Sequence, residues 1–319
     1  MTATRPTIGG TMIAAICGVH PYVTPFDAWL RLTGQVGSKE GNEAMYWGTR
    51  LESVVADEFA IRNKVKVIVP DPAVLVHPTH DFLTGTPDRY IADVPEGLEV
   101  KTAGLRSAHR WGAGITEQDA IPDEYLCQVH WYIHLRKAAL WHVAVLIAGQ
   151  EYRQFRISPD PEFEGLLQER ALKFWRDFVE PRKAPEMTYS ETAAAWVKEK
   201  YSREKSLDVR TAQNEKEVGA VWAFWKTKQD LAKAEEAEKI ARLGLQHLIG
   251  DDTGIQSPLG RVTWKANKDG QKTDWESLAM AMQPTPDLIQ KHTKTVPGPR
   301  VLRAKWAKEE VTTPEEGKD

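Results

Sequence analysis

The stretch from Gly85 to Thr102, GTPDRYIADVPEGLEVKT, limits the fold more than any other. Two apolar-alternating runs, Tyr90 to Val94 and Leu98 to Val100, flank Pro95-Glu96-Gly97 and read as short strands joined by a turn. Side chains alternate faces along a strand, so Glu99 and Lys101 point one way while Leu98 and Val100 point into a core. Asp88 heads the first run. Two carboxylates and an ammonium therefore converge at one end of a small sheet. Hard divalent cations take oxygen ligands, typically one or two carboxylates with waters and substrate phosphate, so Asp88 and Glu99 suit Mg²⁺ or Mn²⁺ better than zinc. Lys101 fits the task of holding a water and offsetting charge on phosphate. The same short pattern also describes an Asp88 that caps a turn beside a surface Glu99–Lys101 ion pair, so support must come from the rest of the chain.

Composition narrows the classes. A chain of 319 residues can form one large core with an appendage, or two domains. With 41% hydrophobic and 27% charged residues it reads as an ordinary globular protein. A net charge of −3 confines any nucleic-acid surface to a local basic patch and argues against a histone-like coating protein. Cys17 and Cys127 stand far apart in apolar surroundings, without a Cys/His cluster, which nearly excludes zinc and iron–sulfur sites and fits reduced, buried thiols. No apolar run approaches membrane-spanning length and the first residues lack signal-peptide character, so a cytosolic protein is expected.

Along the chain, Ile8 to Gly18 reads as a small-residue helix entered by Gly9-Gly10, and Thr24-Pro25-Phe26-Asp27 as a capped helix start. A long helix is expected from Asn42 to Asn63, with Met45, Leu51, Val54, Val55 and Phe59 as its apolar stripe and Glu52 at the stripe's edge. Val65 to Val69 and Ala73 to Val76 read as a hairpin about Pro70-Asp71-Pro72. His77 and His80 fit turn positions. The segment Ala103 to Gly112 is a basic loop suited to phosphate contacts. Pro122 to Lys137 is helical, with Gln128 adjoining its apolar face. Leu140 to Ile147 and Tyr152 to Ile157 form a second hairpin, and a helix from Asp160 is stopped by Pro181. Helices and strands in that order make an α/β domain on a mixed sheet, ending near residue 185. A charged helix then runs from about Glu217 to Leu248. A Trp-bearing hairpin is expected about Lys268-Asp269-Gly270, with a short helix and basic segment after it. Residues 1–185 are thus read as the catalytic domain, 186–308 as a helix-plus-hairpin extension, and 309–319 as a disordered tail.

Four motifs together resemble a known family. Trp47-Gly48 with Glu52, Thr86-Pro87-Asp88, Leu98-Glu99-Val100-Lys101 and Tyr125-Leu126-x-Gln128-Val129-x-Trp131-Tyr132 are similar to the lambda-exonuclease, or YqaJ-type viral recombinase, branch of the PD-(D/E)XK nucleases. The resemblance covers roughly residues 5 to 180. It implies a restriction-endonuclease-like core, a central mixed β-sheet flanked by helices, with a helical and hairpin C-terminal extension. It implies that Asp88, Glu99 and the backbone carbonyl of Val100 bind Mg²⁺, with Mn²⁺ as a substitute and Glu52 completing the shell. Lys101 would orient the attacking water and Gln128 would align Lys101 or the scissile phosphate. Members digest one strand of linear double-stranded DNA from the 5′ end, processively, as trimeric or tetrameric rings, and hand a 3′ overhang to an annealing protein. Where the family carries Gly after the aspartate this chain has Arg89, a further phosphate candidate. Arg5, Arg106 and Arg110 are the candidates for a terminal-phosphate pocket.

Two other readings compete. A site-specific or repair endonuclease on the same fold would cut closed circular DNA, which an exonuclease leaves intact. A non-catalytic recombination protein that binds DNA or a partner would be indifferent to Asp88→Ala.

Overall fold

The computed structural model describes residues 6–37, 41–112, 121–204, 208–266 and 274–293. The chain divides into two compact units, residues 1–201 and 202–319. In the first, helices α1 (Gly10–Ile16), α2 (Pro25–Leu32) and α3 (Glu43–Asn63) precede strands β1 (Val67–Ile68), β2 (Leu75–Val76), β3 (Thr84–Gly85), β4 (Arg89–Ile91) and β5 (Glu96–Ala103). Helix α4 (Asp123–Arg136), strands β6 (Leu140–Ile147) and β7 (Glu151–Ile157), and helices α5 (Pro161–Phe174) and α6 (Glu191–Lys200) complete it.

The central sheet has the order β1-β4-β5-β6-β7. β5 and β6 run parallel from Glu96↔Leu140 to Ala103↔Ile147, and the other neighbours are antiparallel. A parallel pair needs a long crossover, and α4 lies within it. Residues of α4 are buried nearly all round, including Cys127, Gln128, Val129, Trp131, Tyr132 and Ile133. The sheet is thus covered twice. Val55, Ala56 and Phe59 of α3 meet Ile91, Leu98, Val100 and Ala144 on one face. The larger core, with Ile13, Phe26, Trp131, Trp141 and Phe155, fills the other. This is the mixed α/β architecture expected, and β5, buried on both faces, is its middle.

Several local readings are corrected. The turn after β4 comes earlier than Pro95-Glu96-Gly97: Asp93 takes a left-handed φ of 66° and β5 already begins at Glu96. The two β-branched runs do not pair with each other. β1 pairs with β4 and β2 with β3, because Pro70 and Pro72 offer no N–H to a ladder and let the runs part. On α3 the buried row is Val55, Ala56 and Phe59, whereas Met45 and Val54 are exposed. The sheet selects the stripe that runs through Gly48 and Glu52, one step round from the one periodicity proposed.

The first unit also reaches past residue 185. Asp27, fully buried, accepts the Thr24 N–H at 3.0 Å to close the α2 capping box, and its other oxygen accepts the Ser190 hydroxyl at 2.6 Å. Ser190 in turn caps α6, whose Trp196 packs edge-on against Phe26. One carboxylate starts two helices.

In the second unit a 35-residue helix, α7 (Glu215–Ile249), is exposed along most of its length and is stitched by i,i+4 ion pairs such as Lys226–Asp230. It stops at Gly250, φ 54°. A hairpin follows, but it is β8 (Gly254–Ser257) with β9 (Gly260–Thr263). The turn expected at Lys268-Asp269-Gly270 lies outside the described residues, and Trp275 opens a helix, α8 (Trp275–Ala281), with α9 (Pro286–His292) after it. No helix among the described residues is long and apolar enough to cross a membrane.

Asp27→Ala removes a cap and leaves buried donors unpaired, so urea denaturation of the full chain should show a loss of about 2–3 kcal/mol. A loss below about 0.5 kcal/mol would mean that α6 docks without this carboxylate.

Candidate functional site

Pairing between β4 and β5 ends at Arg89↔Leu98, so the next N–H on that edge of β5, that of Val100, has no strand to bond. Asp88, just ahead of β4, supplies the acceptor: Val100 N–H donates to Asp88 Oδ2 at 2.8 Å. N–H and C=O of one strand residue leave on the same side, so the Val100 carbonyl faces the Asp88 edge too. This backbone bond fixes the aspartate against β5.

Glu99, on the other face of β5 from Leu98 and Val100, is only 1% exposed. Its Oε1 accepts from the Lys101 ammonium and, at 2.7 Å, from Gln128 Nε2 of α4. Its Oε2 is buried and has no hydrogen-bond partner among the described residues. Asp88 lies within hydrogen-bonding reach of Glu99. The Lys101 ammonium also sits 4.9 Å from the centre of the Tyr125 ring, within cation–π range. The surface ion pair allowed by the sequence is therefore a buried one.

The electrostatics follow from burial. Loss of water pushes the Glu99 carboxyl up from 4.5 to about 8, with Asp88 adding to the rise against the pull of Lys101. Asp88 is raised for the same first reason, partly offset by Lys101 and by the Val100 N–H. Burial works to lower Lys101, but Glu99 and Asp88 outweigh it and hold the ammonium charged. Burial and then the Glu99 charge push the Tyr132 phenol well up, so it stays neutral.

Two adjacent, charge-starved carboxylates, an unsatisfied buried oxygen and a carbonyl on the same edge fit a hard divalent cation, which takes few protein ligands and keeps waters. Among the described residues no three His, Cys, Asp or Glu side chains form a metal cage. Any cation here would rest on Asp88, Glu99 and the Val100 carbonyl. Glu52 is close enough for its charge to raise the Asp88 carboxyl, but its Oε1 receives Arg89 at 2.7 Å, and Arg89 also donates to the Asp88 carbonyl at 2.6 Å. Gly48 brings α3 against Thr102 one turn earlier, so Glu52 flanks the site while engaged elsewhere.

The arginines separate. Arg89 is taken by Glu52. Arg110 is paired bidentately with buried Glu124 at 2.7 and 2.6 Å, which removes it from the free-phosphate set. Arg106 is exposed on a 3₁₀ turn, Leu105–Arg110, directly after β5. Arg5 lies outside the described residues. Tyr132 and Tyr125 entered the sequence reading as motif positions without an assigned role. Both stand one turn from Gln128 on α4, the spacing that places side chains on a shared face.

Against known proteins, residues 2–138 match the family described as the YqaJ-like viral recombinase domain. The chain is 31% identical over 256 residues to the Bacillus subtilis (strain 168) protein YqaJ, which spans 77% of this chain and 76% of that one. Among solved structures it is similar to an alkaline exonuclease (LHK-Exo) from Laribacter hongkongensis, with TM-score 0.45 and 16% identity over 56% of this chain and 89% of that one. A phage related exonuclease from Haemophilus somnus 129PT matches with TM-score 0.40 and 14% identity, over 56% and 97% of the two chains.

A raised Glu99 pKa means that the folded, metal-free chain binds a proton the unfolded chain has released; that stability is complete below 4.5 and lost as pH rises through about 8. In EDTA the melting temperature should fall between pH 6 and 9 more steeply for the wild type than for Glu99→Gln, and Mg²⁺ should restore most of the wild-type loss. Parallel pH profiles for the two proteins would contradict the assignment.

Proposed function

The chain belongs to the YqaJ-like viral recombinase family, and from that premise we propose that it is a Mg²⁺-dependent exonuclease acting on linear double-stranded DNA, with Mn²⁺ as a substitute. The single observation that carries the reading is the meeting of Asp88, Glu99 and Lys101 at one end of β5, with a Glu99 oxygen left unsatisfied. Phosphodiester hydrolysis asks little covalent chemistry of a protein and much charge placement. A site of carboxylates beside a captive ammonium fits that demand.

Asp88, Glu99 and the Val100 carbonyl would hold the ion, which supplies Lewis acidity toward the phosphate. Lys101 has two tasks. Its ammonium holds Glu99 in the metal-free chain, and, turned from that carboxylate, it can donate to an attacking water and to a phosphate oxygen as negative charge builds there. Gln128 keeps the Glu99 carboxylate aimed, because its amide reaches that oxygen from buried α4. Arg89, tethered between Glu52 and the Asp88 carbonyl, stiffens the strand entry. Arg106 offers an exposed cation just past the C-terminal end of β5 for backbone phosphate.

The finer features of the proposal rest on family membership alone: 5′-to-3′ polarity, processive digestion, a 3′ single-stranded overhang passed to an annealing protein, and assembly into a trimeric or tetrameric ring. Within that proposal, residues 1–201 carry the chemistry and the second unit serves assembly, DNA or partner contacts.

Purified chain with Mg²⁺ should consume linear duplex and spare closed circles, and Asp88→Ala or Lys101→Ala should slow it by at least about 10²-fold. Cutting of closed circles would favour an endonuclease. Equal digestion by wild type and Asp88→Ala would remove the site from the chemistry.

A further inference from the structure

Two glycines and one phenol account for each other. A Cβ on Gly10 would lie 2.8 Å from both the Tyr132 hydroxyl and Gln128 Cγ, and a Cβ on Gly85 would lie 2.9 Å from the Tyr132 ring. The first of these glycines belongs to the Gly9-Gly10 entry of α1, which no step of the proposed chemistry uses. α1 and β3 thus close on Tyr132 from two sides, and the ring is 3% exposed.

The hydroxyl so confined is a junction. It receives one hydrogen of the Gln128 amide at 2.9 Å, while the amide's nitrogen also donates to Glu99 at 2.7 Å. It receives the backbone N–H of Thr86 as well, and Thr86 stands two residues ahead of Asp88. A single oxygen therefore ties the segment that carries Asp88 to the side chain that steadies Glu99. A phenylalanine would fill the same space between Gly10 and Gly85 but would take away the oxygen that the buried Gln128 amide and the Thr86 N–H share.

We propose that Tyr132 is a positioning residue: its hydroxyl, wedged by Gly10 and Gly85, sets the spacing of the Asp88 and Glu99 carboxylates through the Thr86 N–H and the Gln128 amide. The inference rests on the reading of those carboxylates as a cation site. Tyr132 acts through other groups and touches neither ion nor DNA. Groups that orient metal ligands in this way are worth roughly 10-fold to 100-fold in affinity or activity when removed.

Tyr132→Phe in the full chain tests it. Calorimetric titration with Mn²⁺ in the absence of DNA should show affinity reduced roughly 10-fold to 100-fold. On linear duplex kcat should fall by a similar factor while KM for DNA holds, and the melting temperature should stay within about 5 °C. In a Gln128→Ala background, Tyr132→Phe should add nothing, since the link is already cut. Gly10→Ala, which keeps every hydrogen-bonding group yet displaces the hydroxyl, should reproduce the loss of Mn²⁺ affinity. Wild-type affinity and kcat in Tyr132→Phe would overturn the proposal, as would losses that multiply in the double variant. If Tyr132→Phe unfolds, wild-type Mn²⁺ affinity in Gly10→Ala overturns it instead. Failure of the nuclease reading has a separate signature: wild-type chain leaves DNA intact, while the Mn²⁺ titration still reports on the spacing.

Discussion

A carboxylate sealed inside a protein with one of its oxygens unsatisfied is the constraint on which this structure turns. Glu99 is 1% exposed on a strand covered on both faces, and among the described residues only Lys101 and Gln128 donate to it, both on the same oxygen. Stripping water from such a group costs several kcal/mol unless a charge is returned to it. Lys101 returns part. What remains is a standing attraction for positive charge at Oε2, and Asp88 alongside adds to it.

The fold exists around that position. α4 is the crossover that makes β5 and β6 parallel, and because it lies buried against the sheet it can carry Gln128 and Tyr132 inward without exposing the site. α3 seals the opposite face of β5 with Val55, Ala56 and Phe59. Asp88 is held by a backbone N–H that is left over because β4 is short. Short strands and helices crowded onto both faces serve one end: to hold acids close together where water cannot screen them.

Much of this was legible in the residues. The Thr24–Asp27 capping box, the extent of α3 and the β6–β7 hairpin follow local rules of spacing and turn chemistry, and the structure has them. So does the meeting of Asp88 with the Glu99 strand. Less legible was anything set by tertiary choice. The sheet, rather than periodicity, decided which stripe of α3 is buried, and Pro70 and Pro72 sent two plausible hairpin partners to different strands. Arg110 looked available for phosphate until Glu124, fourteen residues on in the chain, claimed it. Tyr132 stood in the motif with Gln128 but gained no role there, since no pattern of single residues reveals that a hydroxyl will stand between α1 and β3.

The account is tested most directly by anomalous diffraction from crystals of the full chain grown with Mn²⁺. It requires a peak bounded by Asp88, Glu99 and the Val100 carbonyl, with the Lys101 ammonium turned from Glu99 toward solvent-filled space beside the ion. A strong peak elsewhere, or none there while Lys101 remains locked on Glu99, would contradict it.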